Sequence, residues 1–324
     1  MPESTYPNVG ATGGSGPYEV RGPYGRAPDR LTDRITADGS SRFPAQPGRY
    51  RLYASKADPW AHRTLIVRRL LGLEETIGLT LVDPMRDERG WRFTLDADGR
   101  DPLTGARFLA ELYETTEPGF AGPASVPCVW DRATRRIVSN DQARITLMME
   151  TEFRPFQRPG APDLYPVELR QQIDAVNTLV DMHVNDGVYR AGLATTQRAY
   201  DIAYEAVFTT LDALEEKLTR HRYLVGDRLT EADIRLYPTL FRFDAVYYLL
   251  FRCNLRRLVD YPHLWAYARD LYQRGGFHDT SDMDDIKRHF FLARDDLNPS
   301  RLVPRGPHSD WQAPHFRDRV PSRP

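Results

Sequence analysis

The chain has 324 residues, 41% hydrophobic and 27% charged, the composition of an ordinary globular protein with enough length for two domains. Its 44 basic and 45 acidic residues nearly cancel, so it lacks the electrostatic footprint of a nucleic-acid or anionic-membrane binder, and no apolar run approaches the roughly 18 residues of a membrane span. Cys128 and Cys253 are too few for a disulfide framework or a cysteine zinc cluster, and the eight histidines show no metal-ligand spacing, so no metal is expected and a reducing cytoplasm fits.

Residues 1–48 are rich in Gly, Pro, Ser and Arg and read as an extended arm. Residues 49–153 then alternate short apolar runs with helical stretches. The pattern predicts strands over 49–55 and 77–82, with a helix over 59–72 between them that Gly72 stops. A second helix is predicted over 105–115, two short strands over 126–130 and 136–138, and a third helix over 140–151. This order suits a small mixed sheet with helices on both faces.

A proline-rich linker, 154–166, leads into a segment, 167–297, that is helical throughout. Leu169, Ile173, Val176 and Val180 share one face, as do Ala203, Val207, Leu211, Leu214 and Leu218. Thr230 can cap a helix with Asp233 at the capping-box position, and Leu229 can staple onto Ile234. A Pro/Arg-rich tail occupies 298–324. The expected fold class is therefore α/β plus all-α.

Several stretches carry a family resemblance. They are Ala57-Asp58-Pro59-Trp60-Ala61-His62-Arg63-Thr64-Leu65-Ile66, Gly90-Trp91-Arg92-Phe93, Ser125-Val126-Pro127-Cys128-Val129-Trp130-Asp131, Ile137-Val138-Ser139-Asn140 and Asn185-Asp186-Gly187-Val188-Tyr189-Arg190-Ala191-Gly192. Leu229 to Tyr237 and Arg242-Phe243-Asp244 extend the match, which runs in order from about residue 40 to 300. With these stretches the chain resembles the xi-class glutathione transferases, or glutathionyl-hydroquinone reductases. The resemblance implies a thioredoxin-like N-terminal domain, an all-helical glutathione-transferase C-terminal domain and a homodimer paired through the helical domain.

Position 58 departs from the pattern. The family carries a cysteine there, which attacks the sulfur of a glutathionylated hydroquinone before glutathione releases the mixed disulfide. A carboxylate, whose free pKa is about 3.9, is ionised already at neutral pH but cannot form or exchange a disulfide. Asp141-Gln142 stands where the family has Glu-Ser to hold the γ-glutamyl end of glutathione. The family's late His-Tyr-Phe is here His289-Phe290-Phe291, while its other pocket tyrosine is kept as Tyr189.

The resemblance also places Trp91, Val126 and a cis Pro127 at the thiol site, and Trp60, His62, His289 and Phe290 around the substrate. Each has a plain structural alternative. Asp58 followed by Pro59 is a strong helix start in its own right. Trp91 can be a packed aromatic, His62 a packed or capping residue, and Cys128 a core residue in an apolar strand.

With Asp58 and Tyr189 as the catalytic pair, the expectation is non-redox chemistry on a quinone or other polyphenolic small molecule: cyclisation, isomerisation, dehydration or ring opening, with Asp58 as acid or base. The alternatives are a transferase or reductase that still uses glutathione or another low-molecular-weight thiol, and a non-catalytic ligand-binding scaffold.

Overall fold

The computed structural model describes residues 30–320; most of the predicted N-terminal arm lies outside these residues. The described part of that arm is not loose. It forms two short parallel strands, β1 (Ile35–Thr36) and β2 (Phe43–Pro44), and buries Ile35 and Phe43 in the core. Backbone amides of Leu31 and Ala37 donate to the side chains of Asn140 and Glu152 at 3.1 and 2.9 Å. Two isolated apolar residues among turn formers carry no period, which hides such an anchored segment from pattern reading.

The sheet follows: β3 (Tyr50–Ala54), α1 (Pro59–Leu70), β4 (Ile77–Leu81), a hairpin of β5 (Arg86–Asp87) and β6 (Gly90–Trp91), α2 (Leu109–Thr116), β7 (Cys128–Asp131), β8 (Arg136–Ser139) and α3 (Gln142–Thr151). Strand order is β4-β3-β7-β8, with β3 parallel to β4 and antiparallel to β7. The predicted second helix begins later than residue 105. Before it, Asp101 accepts from the Tyr53 hydroxyl at 2.8 Å and from the Thr104 amide at 2.8 Å, building a turn that takes up the helix-compatible residues. Gly72 stops α1 as expected: its φ is +68°, and a Cβ there would stand 2.6 Å from the Arg158 side chain.

Residues 154–166 are pinned at both ends. The Arg158 amide donates to Leu71 and the Glu231 amide to Leu164. Beyond them come α4 (Arg170–Val180), α5 (Asp186–Gly192), α6 (Gln197–Leu218), α7 (Glu231–Arg242), α8 (Pro262–Tyr272) and α9 (Met283–Leu292). A π-turn over Asp181–Asn185 joins α4 to α5, and a second over Phe243–Tyr247 follows α7. Thr230 and Asp233 form the expected capping box, with the Thr230 amide donating to the Asp233 carboxylate at 2.8 Å.

The C-terminal segment packs rather than trails. Trp311 sits against Trp265, Phe241 and Tyr272 with ring centroids 4.7 to 5.3 Å apart. Arg317 is buried and donates to the carbonyls of Leu218, His221 and Arg222 where α6 ends. Among the described residues no helix is long and apolar enough to cross a membrane.

Candidate active site

Asp58 opens α1. Its backbone is extended (φ −79°, ψ 125°), its Oδ1 accepts the Ala61 amide at 2.8 Å, and Pro59 occupies the first helical position. The cap alone explains why the sequence starts a helix here, and a helix N-terminus favours an anion. Yet Asp58 is not sealed inside the protein. It is 7% exposed and lines a tight, partly open cleft, with about 10 Å³ of free space for a water-sized sphere, together with Pro59, Arg86, Tyr189, His289, Phe290, Ala293 and Arg294.

Residues from the start of α1, from β5, from α5 and from the end of α9 thus meet at one opening. Tyr189 sits within α5. Its ring packs on Trp60 (5.0 Å), Phe251 (5.1 Å) and Tyr247 (5.8 Å). Gly192 makes that packing feasible, because a Cβ there would fall 2.2 Å from Phe251.

His289 stacks on Trp91 with centroids 5.4 Å apart and planes 11° from parallel, and Arg86 stands over the Trp91 ring. The Pro84 carbonyl can only accept, so His289 Nδ1 carries the hydrogen of their 2.7 Å bond. Burial, aided by Arg86, pushes the His289 pKa down to about 3. The ring is therefore neutral near pH 7, with its lone pair on Nε2.

His62, predicted for the substrate pocket, stands behind the cleft instead. It is completely buried; its Nδ1 accepts from Arg242 at 3.1 Å and its Nε2 reaches Thr280 Oγ1 at 3.1 Å. Burial, then Arg242 and Lys56, hold its pKa well below the ordinary value. One helical turn past Asp58 points the ring toward α7, a consequence of helix packing that the local sequence does not carry. Trp60 is the backing for Tyr189 rather than a cleft wall.

The Val126–Pro127 peptide bond is cis, and both residues are buried at the start of β7. Asp141 caps α3, accepting the Arg144 amide at 3.1 Å. Gln142 is buried and its Oε1 accepts from Arg63 at 3.2 Å; Arg63 in turn holds Asp181 at 3.0 Å across the two halves. Both cysteines are buried, and burial raises both thiols, Cys253 to about 12. Neither lines the cleft.

Three arginines had no part in the sequence reading of the site. Arg86 and Arg294 line the mouth, and nothing around them in the sequence marks this. Arg242 lies in one of the matched stretches, yet its place behind Asp58 emerges only when α7 packs on α1. Among the described residues no three His, Cys, Asp or Glu side chains converge as a metal-binding group.

A four-stranded mixed sheet carrying its site at the start of the first helix, joined to an all-helical half, defines a glutathione-transferase fold. The family described as "Glutathione S-transferase, C-terminal domain" matches residues 194–270. The chain is 42% identical to the glutathionyl-hydroquinone reductase YqjG of Escherichia coli over 305 residues, covering 92% of this chain and 93% of that protein. It is 44% identical to the glutathionyl-hydroquinone reductase PcpF of Sphingobium chlorophenolicum, with 82% and 85% covered. A solved glutathione transferase from Gordonia bronchialis superposes with a TM-score of 0.89 at 49% identity, covering 91% and 92%. The glutathione-bound structure of YqjG gives 0.85 at 43%, covering 89% and 96%. The chain belongs to the xi-class glutathione transferases, the family of the glutathionyl-hydroquinone reductases.

Proposed function

We propose that this protein joins a low-molecular-weight thiol, glutathione or a close analogue, to a quinonoid or related aromatic molecule in the cleft, without any enzyme-bound disulfide. The observation that carries this reading is the carboxylate of Asp58 in the wall of the cleft, in the position where the resemblance expects a cysteine, while both cysteines of the chain lie buried elsewhere. The similarity to glutathionyl-hydroquinone reductases supports a thiol co-substrate and an aromatic partner.

In this scheme the thiol sulfur attacks an electron-poor ring carbon while Asp58 accepts its proton as general base. The C–S bond forms, the ring π pair moves onto a carbonyl oxygen, and that oxygen takes a proton from Tyr189 or from solvent. Loss of the proton on the attacked carbon restores the aromatic ring as a hydroquinone thioether. The quinone is reduced by the addition itself, so no further oxidant or reductant enters. Neutral His289 offers an acceptor on the same wall, and Trp91, Phe290 and Trp60 supply or back flat apolar surface.

The test is turnover of glutathione with menadione by the wild type and by Asp58→Asn and Asp58→Ala. Loss of a general base lowers the rate by roughly 100-fold or more in both variants; full activity in both excludes the carboxylate. Asp58→Cys adds a second arm, since gain of glutathionyl-hydroquinone reduction in that variant would mean the rest of the pocket still accepts the family's substrate.

A second reading has its own support. Gln142, expected at the γ-glutamyl end of glutathione, has its carbonyl held by Arg63. This favours thiol-free chemistry on a polyphenol, in which Asp58 drives cyclisation, isomerisation, dehydration or ring opening. Calorimetric titration with glutathione separates the two, because silence together with turnover of an aromatic compound alone selects the second. A stable ligand complex with no turnover selects a binding scaffold. The setting proposed for any of these roles is a cytoplasmic homodimer.

A further inference from the structure

Arg242 ends α7 in the helical half, yet its guanidinium serves the first half. A guanidinium carries five N–H donors. Here all five find acceptors: Nη2 donates to the carbonyls of Lys56 at 2.7 Å and Ala57 at 3.1 Å, and Nε to Ala57 at 3.3 Å. Nη1 donates to Pro238 at 2.9 Å and to His62 Nδ1 at 3.1 Å. The side chain is completely buried, and none of these partners is a carboxylate. Burying a cation this way is costly unless its charge is used.

The Ala57 carbonyl belongs to the peptide unit whose nitrogen is that of Asp58. Gripping this carbonyl and its predecessor sets the plane from which Asp58 leaves the strand and enters α1. His62, one turn along, is a further strut. Because its Nδ1 accepts from Arg242, its Nε2 carries the hydrogen and donates to Thr280 Oγ1, tying α1 to the segment before α9. Asp58 also acts on Arg242 through space.

We infer that Arg242 is a positioning residue for Asp58: from across the domain boundary it fixes the turn at residues 56–58 and places a buried positive charge behind the Asp58 carboxylate. The inference rests on the reading of Asp58 as the working carboxylate. The other charged or titratable groups facing Asp58 are Arg86, Arg294, His289 and Tyr189 around the cleft, with Lys56 behind it paired to Asp282 at 3.6 Å. All of them persist when Arg242 alone is changed.

The experiment is a carbon-13 NMR titration of the full chain labelled at aspartate carboxyls, with the Asp58 signal assigned by its loss in Asp58→Asn. Alongside it run melting curves and steady-state kinetics with menadione and glutathione. Arg242→Met raises the pH midpoint of Asp58 by about one unit or more, a tenfold change in its protonation equilibrium. Arg242→Lys keeps the charge and shifts the midpoint by less. Its three donors cannot hold all four acceptors, so kcat still falls at least about tenfold while KM for the quinone changes less than about threefold. A folded Arg242→Met protein with the wild-type midpoint overturns the inference. Should Arg242→Met fail to fold, Arg242→Lys decides: an unchanged kcat sinks the positioning role. If the wild type shows no turnover at all, the proposed chemistry fails, while the titration still reports whether Arg242 governs Asp58.

Discussion

Asp58 combines two roles that separate by substitution. As an N-cap it satisfies the Ala61 amide, and as a cleft wall it presents a carboxylate. Asparagine caps about as well as aspartate, whereas alanine does not. Asp58→Ala therefore loses about 1 kcal/mol in urea denaturation, and Asp58→Asn a few tenths. If both nevertheless lose activity equally, the carboxylate and not the cap carries the chemistry. At the neighbouring histidine the structure favours the packed reading over the pocket one. Beside the site in the chain, His62 is turned into the core by the helix, where Arg242 and Thr280 define its tautomer.

At the scale of elements, the sheet and its helices follow from alternation and helical period, and α7 from its capping box. Less visible is the polar seam where α1, α3, α4 and α7 meet. Arg63 and Arg235 both bind Asp181, at 3.0 and 2.9 Å; Arg235 and Asn177 also bind Glu231. Next to them, on α3, Glu150 is 3% exposed, and neither of its carboxylate oxygens has a hydrogen-bond partner. Burial, with Glu231 adding repulsion, raises its pKa well above the ordinary value, so the folded state retains a proton that the unfolded chain releases above about pH 4.5. Stability from this group is therefore complete below that pH and declines as pH rises through the folded-state value. Glu150→Gln removes the dependence and stabilises the protein at pH 8 by about 1–3 kcal/mol. Paired denaturation curves at pH 5 and pH 8 check it, and equal gains at both pH values would contradict the assignment.

At the scale of the whole molecule, the two halves are sewn together by charge as well as by apolar packing, through Arg63 to Asp181 and through Arg242 to the carbonyls of residues 56 and 57. The C-terminal segment is a third fastening. Removing residues 307–324 uncovers Trp265, Tyr272 and Phe241 and strips Arg317 from the end of α6. The expected loss is about 3–5 kcal/mol, read as a Tm lower by roughly 5–10 °C. An unchanged Tm would mean that this segment contributes no stability.

Local order was legible because its causes are local. Period-two and period-3.6 apolar patterns, a proline after an aspartate, a Thr-x-x-Asp box and the matched stretches identify the scaffold and the odd residue at its site. The tertiary structure alone decided what surrounds that residue. Arg86, Arg242, His289 and Arg294 are 28 to 236 positions away along the chain, and only packing brings them to Asp58. Backbone hydrogen bonds and helix caps are set by near neighbours, whereas a buried cation or a cleft wall is set by whichever faces finally meet. That is why the sequence could place a carboxylate at the mouth of α1 but could not say which charges stand around it.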